Sequence, residues 1–296
     1  MTQTTTARAT LLILLAAACF GSIAVLTVMG RTGGATLLTI LTWRYGIGAL
    51  GLMLVSGGPA KVRVPRDRLV RLLVLGGTGQ ALVTGTSLGA LEYIPAAALG
   101  FLFYTYPAWI TLIAAVRGSE RLTPVRAIAL LLSLGGILLM VGNPFRSALP
   151  ATGIALALGA ALIYAFYVPL LNRLGAGIAP AVSSTWITGG AFLILGTVGA
   201  ATGQLHLDGV GPTAWGAIVA MAVFSTVLAF VAFLRGLAVL GPVRTAIIST
   251  VEPFWTALLG AVALAQPLTQ GAVSGGVLIA LAVALLQAPP RRATPR

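Results

Sequence analysis

Charge is scarce in this chain. Asp, Glu, Lys and Arg together make up 8% of its 296 residues, and only five of them are acids. A soluble domain carries about 25% charged residues. With 58% hydrophobic residues and a mean hydropathy of +1.03, the chain holds more apolar surface than an aqueous fold can hide, so it is a polytopic membrane protein. Cysteine is nearly absent: Cys19 stands alone, which excludes an intramolecular disulfide, and its apolar surroundings make it a small packing residue. The one histidine, His206, falls between apolar runs, as do Asp67 and Asp208. The spans therefore offer no Ser–His pair, aspartate dyad or metal-ligand set, and no H-E-x-x-H occurs, which disfavours a membrane enzyme. No cofactor or metal is expected. A P-loop and an ATPase domain are also missing, which disfavours an ATP-driven pump. "GGTGQ" (Gly76–Gln80) fails the G-x-G-x-x-G template at Leu82, and no strand precedes it, so its glycines are read as packing residues. A receptor or scaffold that binds without flux remains a contrasting class.

What the chain has instead is apolar runs. A span needs roughly 20 apolar residues to cross about 30 Å of hydrocarbon. About ten such runs occur, near residues 9–30, 35–56, 69–91, 95–116, 123–142, 151–173, 179–201, 212–236, 242–264 and 269–288. The first is too long for a signal-peptide core of about 7–15 residues, and is read as a retained helix. The net charge of +13 would suggest nucleic acid in a soluble protein, but here the arginines sit in short segments between the runs and act as topology determinants. Counting outward from a cytoplasmic N-terminus, one side holds Arg8, the Lys61–Arg71 cluster, Arg117, Arg121, Arg126, Arg173, Arg235, Arg244, Arg291, Arg292 and Arg296. The other holds Arg31, Arg44 and Arg146, so the bias is 15 against 3. Both termini are therefore expected in the cytoplasm. The arginine-rich, lysine-poor usage fits a bacterial inner membrane.

The text also repeats. "TYPAWITLIAAVRGSERLT" (Thr105–Thr123) aligns with "VEPFWTALLGAVALAQPLT" (Val251–Thr269), pairing Pro107 with Pro253 and Trp109 with Trp255. "TWRYGIGA" (Thr42–Ala49) aligns with "TWITGGAF" (Thr185–Phe192). The offsets, about 146 and 143 residues, are close to half the chain. Two five-helix halves follow, 1–148 and 149–296. Because five is odd, the second is inverted relative to the first. The fold expected is an all-α membrane protein of about ten helices in two inverted repeats around a central cavity, an architecture of secondary transporters whose site lies near the midplane.

The stretch "GALEYIPAAALGFLFYTYPAWITLIAAVRGSERLTPVRAIALLLSLGGILLMV" resembles the EamA-type unit of the drug/metabolite transporter superfamily, with its small residues, aromatic-Pro, Gly/Ser-Glu-Arg-Leu-Thr turn and Gly-rich closing helix. The second copy departs from it, since Gln266-Pro267 stands where the first has Glu120-Arg121. Within the superfamily, length and aromatic content are similar to YddG-type bacterial amino-acid exporters. That resemblance implies a ten-helix basket around a central cavity, exporting amino acids, aromatic ones included, and related metabolites. An exporter of cationic drugs or nucleoside-like metabolites is the alternative. The partners implied are a small-molecule substrate and the lipid bilayer, with no nucleic acid; a monomer is compatible with all of this.

Two charges stand inside spans. A charge at a helix centre costs about 2.5–3.5 kcal/mol and is normally functional or paired. Arg44 and Glu252 stand in the second and ninth spans, reached from opposite sides, at depths within roughly 10 Å of each other. In one reading, Arg44 holds a substrate carboxylate while Glu252 meets an ammonium group or a proton. In the other, the two form a structural ion pair, or Arg44 snorkels to the interface. Facilitated export and proton exchange both remain open. In the third span Gln80, Thr84 and Ser87 recur at i, i+4 and i+7 on one face, suited to a cavity or a helix contact, with Gly85 and Gly89 as close-packing positions. Glu92 falls at an outer helix end, Glu120 in a turn between arginines, and His206 and Asp208 in an outer loop. Of the aromatics in spans (Trp43, Tyr104, Trp109, Tyr164, Tyr167, Trp186, Trp255), Tyr164 and Trp43 are the preferred cavity residues, with Tyr104 beside them; Phe20 and Tyr164 occupy matching places in the halves. Pro107 and Pro253 each remove a helical N–H and are read as static kinks or as hinges.

Overall fold

In hydrocarbon every backbone N–H and C=O must find its partner within the chain, so the apolar runs close as helices. The computed structural model describes residues 3–94, 96–118, 123–141, 149–265 and 267–287. Pro95, the Glu120-Arg121 turn, Arg146, Gln266, Arg291, Arg292, Arg296 and the expected boundary at residue 148 lie outside the described residues. The helices are α1 (Gln3–Thr32), α2 (Leu37–Val55), α3 (Arg66–Arg71), α4 (Gly77–Gly89), α5 (Ala96–Phe103), α6 (Tyr106–Val116), α7 (Pro124–Val141), α8 (Ala151–Leu174), α9 (Pro180–Ala201), α10 (Pro212–Ala222), α11 (Ala229–Ser249), α12 (Glu252–Leu264) and α13 (Gln270–Gln287). A π-helical turn, Leu72–Gly76, joins α3 to α4, and another, Val223–Leu228, joins α10 to α11. No strand occurs among the described residues. Seven helical stretches there are long and apolar enough to cross a membrane, and three shorter apolar helices join them.

Two expected spans prove to be broken. The fourth is α5 and α6 with a turn at Tyr104-Thr105, and the ninth is the last two turns of α11 followed by α12, with a turn at Thr250-Val251. Pro107 and Pro253 each stand in the first turn of the helix after the break, where the missing N–H has no intrahelical partner to lose. The stretch from Pro212 to Ser249 also bends at Gly241, whose φ of 75° and ψ of 169° are open to glycine and strained for other residues. That bend separates the eighth span from the ninth, so the helices make about ten crossings.

The packing maps onto itself when the halves are exchanged. Helix α2 lies along α9, its counterpart, and α7 along α13, its counterpart. Helix α1 lies along α11 as α8 lies along α4. The π-turns and the proline breaks also fall at corresponding places. This is the pattern that a twofold axis in the membrane plane produces, with five spans per half and the second half inverted. At the arginine-rich end, Ile13, Ile110, Leu171, Leu240 and Ile247 belong to one buried apolar cluster. Toward the opposite end the helices part around a cavity.

Candidate substrate cavity

The cavity has a volume of about 510 Å³ and draws on both halves: Phe20 from α1, Arg44 from α2, Gln80 from α4, Tyr104 from the first break, Tyr164 from α8 and Glu252 from α12. Leu91, Met140, Pro267 and Thr269 line it toward the arginine-poor end.

Arg44 is 1% exposed. Its Nε donates to Thr226 Oγ1 at 3.1 Å and its Nη2 to the Ser225 carbonyl at 3.2 Å. The guanidinium lies 4.9 Å from the centroid of the Tyr45 ring, while Nη1 is buried with no hydrogen-bond partner among the described residues. The carbonyl it meets belongs to the second π-turn, and widened turns of this kind are frequent at functional sites. Behind it, Ser225 Oγ donates to the Cys19 carbonyl at 2.9 Å and lies 2.8 Å from Ser22 Oγ. A network anchored on α1 thus fixes the turn that holds the guanidinium. Both acceptors are neutral, so the cation is desolvated without a short-range counter-charge, the costly arrangement for a buried ion. Arg44 is buried rather than snorkelled toward an interface, and among the described residues no ion pair joins it to Glu252.

Glu252 is the first residue of α12, not the middle of a continuous helix. There the positive end of the helix dipole favours a carboxylate. Tyr104 lines the same cavity, and the half-buried Glu252 side chain faces it. Gly21 sets its position from α1: a Cβ there would come within 2.9 Å of Trp255 Cβ and 3.1 Å of the Glu252 carbonyl.

The polar face of the third span also lines the cavity, with Gln80, Thr84 and Ser87 all present. Gln80 Nε2 donates to Tyr45 Oη at 2.7 Å and Thr84 Oγ1 at 3.1 Å, and the two hydroxyls are 2.8 Å apart. This fixes Gln80 and leaves its carbonyl oxygen without a protein partner among the described residues. Aromatic rings form the rest of the wall. Tyr164 meets Tyr106 edge-on at 4.8 Å and Phe103 at 5.6 Å, and across the cavity Phe20 meets Phe230 and Phe233 at 5.9 and 6.0 Å.

Of the residues singled out from sequence, Arg44, Glu252, Gln80, Thr84, Tyr104 and Tyr164 therefore share one cavity. Trp43 does not: one residue from Arg44, it is turned about 100° around α2 and packs edge-on against Trp215 at 5.8 Å. Tyr167 donates instead to the Gly76 carbonyl of the first π-turn at 2.7 Å, and Trp186 to the Val62 carbonyl at 2.7 Å. Gly85 and Gly89 face open space rather than a close helix, whereas Gly76 and Gly77 of "GGTGQ" do pack closely, against Ile187 and Gly190. Glu92, His206 and Asp208 are exposed. Sequence reasoning missed Tyr45, Ser22, Ser225 and Thr226. Tyr45 follows Arg44 directly and could have been weighed with it, but Ser225 and Thr226 carry no local signal in an apolar run.

Among known proteins, a solved crystal structure of another protein is similar with a TM-score of 0.72 at 23% identity, over 94% of this chain and 96% of that one; at that identity the likeness concerns the fold. No curated protein matches. The sequence profile of the EamA-like transporter family matches residues 7–142 and again 151–287, once for each set of five spans. The chain belongs to the EamA-like transporter family.

Proposed function

We propose that this protein, a multi-pass membrane transporter of small molecules by its family, exports amino acids, aromatic ones included, and related amphoteric metabolites. The observation that carries this is Arg44: a fully buried guanidinium with a free Nη1, facing the same cavity as Glu252 yet not paired with it. A zwitterion supplies both missing partners, its carboxylate to Arg44 and its ammonium to Glu252, and water-poor surroundings strengthen each contact. Tyr104 and Tyr164 flank the ammonium site and can add cation–π attraction. Gln80, held by Thr84 and Tyr45, presents an acceptor to the same group. A cavity of about 510 Å³ accommodates an amino acid with an aromatic side chain.

In this reading the halves 1–148 and 149–296 move against one another, and the breaks before Pro107 and Pro253 are the hinges. The arginine-rich end faces the cytoplasm of a bacterial inner membrane with both termini, so the structure corresponds to an outward-facing state. The aromatic wall and Glu252 also suit an organic cation, which is the second reading. Uptake of a labelled amino-acid panel into proteoliposomes, with Arg44→Gln and Glu252→Gln alongside, separates the two. An amino-acid exporter loses flux in both variants. A cation exporter depends on Glu252 and tolerates Arg44→Gln, and a wild type that moves no amino acid refutes the proposal.

A further inference from the structure

A second hollow of about 230 Å³ opens at the arginine-rich end, between the C-terminal turns of α6 and α8, and shares no lining residue with the central cavity. Its floor is apolar, with Ile110 and Ile113 from α6 and Phe166 from α8; Phe166 is 48% exposed on the outside of the bundle. Its rim carries Arg117, Asn172 and Arg173. The Arg117 guanidinium lies 5.7 Å from the centroid of the Phe166 ring, which holds the charge over the mouth. Among the described residues no acidic side chain lines the hollow. Topology and helix dipoles account for one arginine at each helix end, but not for two of them converging on an apolar slot open to the bilayer.

We propose that this groove binds one anionic phospholipid. Its phosphate is held by Arg117 and Arg173 with Asn172 donating, and an acyl chain lies along Ile113 and Phe166. Charge complementarity selects the anionic headgroup, and the exposed apolar floor selects a lipid over a free anion, since a phosphate ion leaves that floor uncovered. Basic pockets between spans at a cytoplasmic surface take anionic headgroups for the same reason. Pro242, which follows the Gly241 bend, also lines the groove, so a seated lipid joins α6, α8 and the start of the ninth span and is expected to raise the melting temperature.

The test is native mass spectrometry of the full chain, delipidated and titrated with phosphatidylglycerol or phosphatidylcholine. Each arginine near the surface is worth about fivefold, so wild type is expected to prefer phosphatidylglycerol about 30-fold. Arg117→Gln/Arg173→Gln loses that preference, while Arg66→Gln/Arg68→Gln, in the exposed cluster, keeps it. Equal affinity for both lipids in wild type, or a preference that survives the first pair of substitutions, overturns the proposal. Displacement of the lipid by millimolar inorganic phosphate overturns the choice of lipid over free anion. Should the double variant not fold, a photo-crosslinking residue at Ile113 in the otherwise native chain decides: labelling of phosphatidylglycerol over phosphatidylcholine supports the site, and equal or absent labelling refutes it.

Discussion

Replacing Arg44 by methionine removes the charge while keeping most of the volume. The variant gives up two hydrogen bonds, to Thr226 Oγ1 and the Ser225 carbonyl, worth about 0.5–1.5 kcal/mol each. It also relieves the burial of a cation that has no ionic partner, and exchanging buried ionic groups for apolar ones of similar size is often neutral or stabilising by about 1–4 kcal/mol. The terms nearly cancel, so the melting temperature in detergent is expected to hold or rise. Transport moves the other way. Loss of a charge-assisted hydrogen bond to the substrate carboxylate, about 1.5–3 kcal/mol, raises KM for proteoliposome uptake of phenylalanine by about 10- to 150-fold. Stability kept and affinity lost is the signature of a residue held in place for a ligand. A variant that melts far below wild type, or one that transports normally, refutes the reasoning.

Other expectations follow from individual contacts. Tyr45→Phe removes the hydroxyl that meets both Gln80 and Thr84, worth about 1 kcal/mol; uptake KM should rise about fivefold with folding intact by circular dichroism. Gly21→Ala drives a methyl group into Trp255 and the Glu252 backbone; overpacking of this kind costs about 1–3 kcal/mol, and a lowered melting temperature together with lost uptake is expected. Trp43→Phe should leave uptake within about twofold, because Trp43 packs on Trp215 outside the cavity and its Nε1 already lacks a partner. Pro253→Ala restores a backbone N–H at the ninth-span break; if that break is a hinge, substrate binding stays unchanged while the uptake rate falls several-fold.

The spans were legible because hydrocarbon imposes one rule on every stretch; Pro107 and Pro253, recurring in aligned text, marked weak points, but the full breaks before them were not foreseen. Arg44 and Glu252 announced themselves as charges in apolar surroundings. What surrounds Arg44 was not legible. Ser225 and Thr226 reach it only through a π-turn 182 residues away from it, and nothing local distinguishes that turn from ordinary apolar helix. Trp43 was misjudged because position along a helix gives depth but not facing. Depth brought it level with Arg44, and the helical phase turned it onto α10. Gly85 and Gly89 show the converse: their spacing matches a packing motif, but no neighbour occupies that face.

The central claim is that one cavity recognises both poles of its substrate, and a chemical comparison on the wild-type protein tests it most directly. Binding of phenylalanine, phenethylamine (no carboxylate) and hydrocinnamate (no ammonium) would be measured by calorimetry in the same detergent. The account requires phenylalanine to bind at least tenfold more tightly than either one-pole analogue, with Glu252→Gln erasing its advantage over hydrocinnamate. Phenethylamine binding as tightly as phenylalanine would contradict the account and mark the cavity as a site for cations.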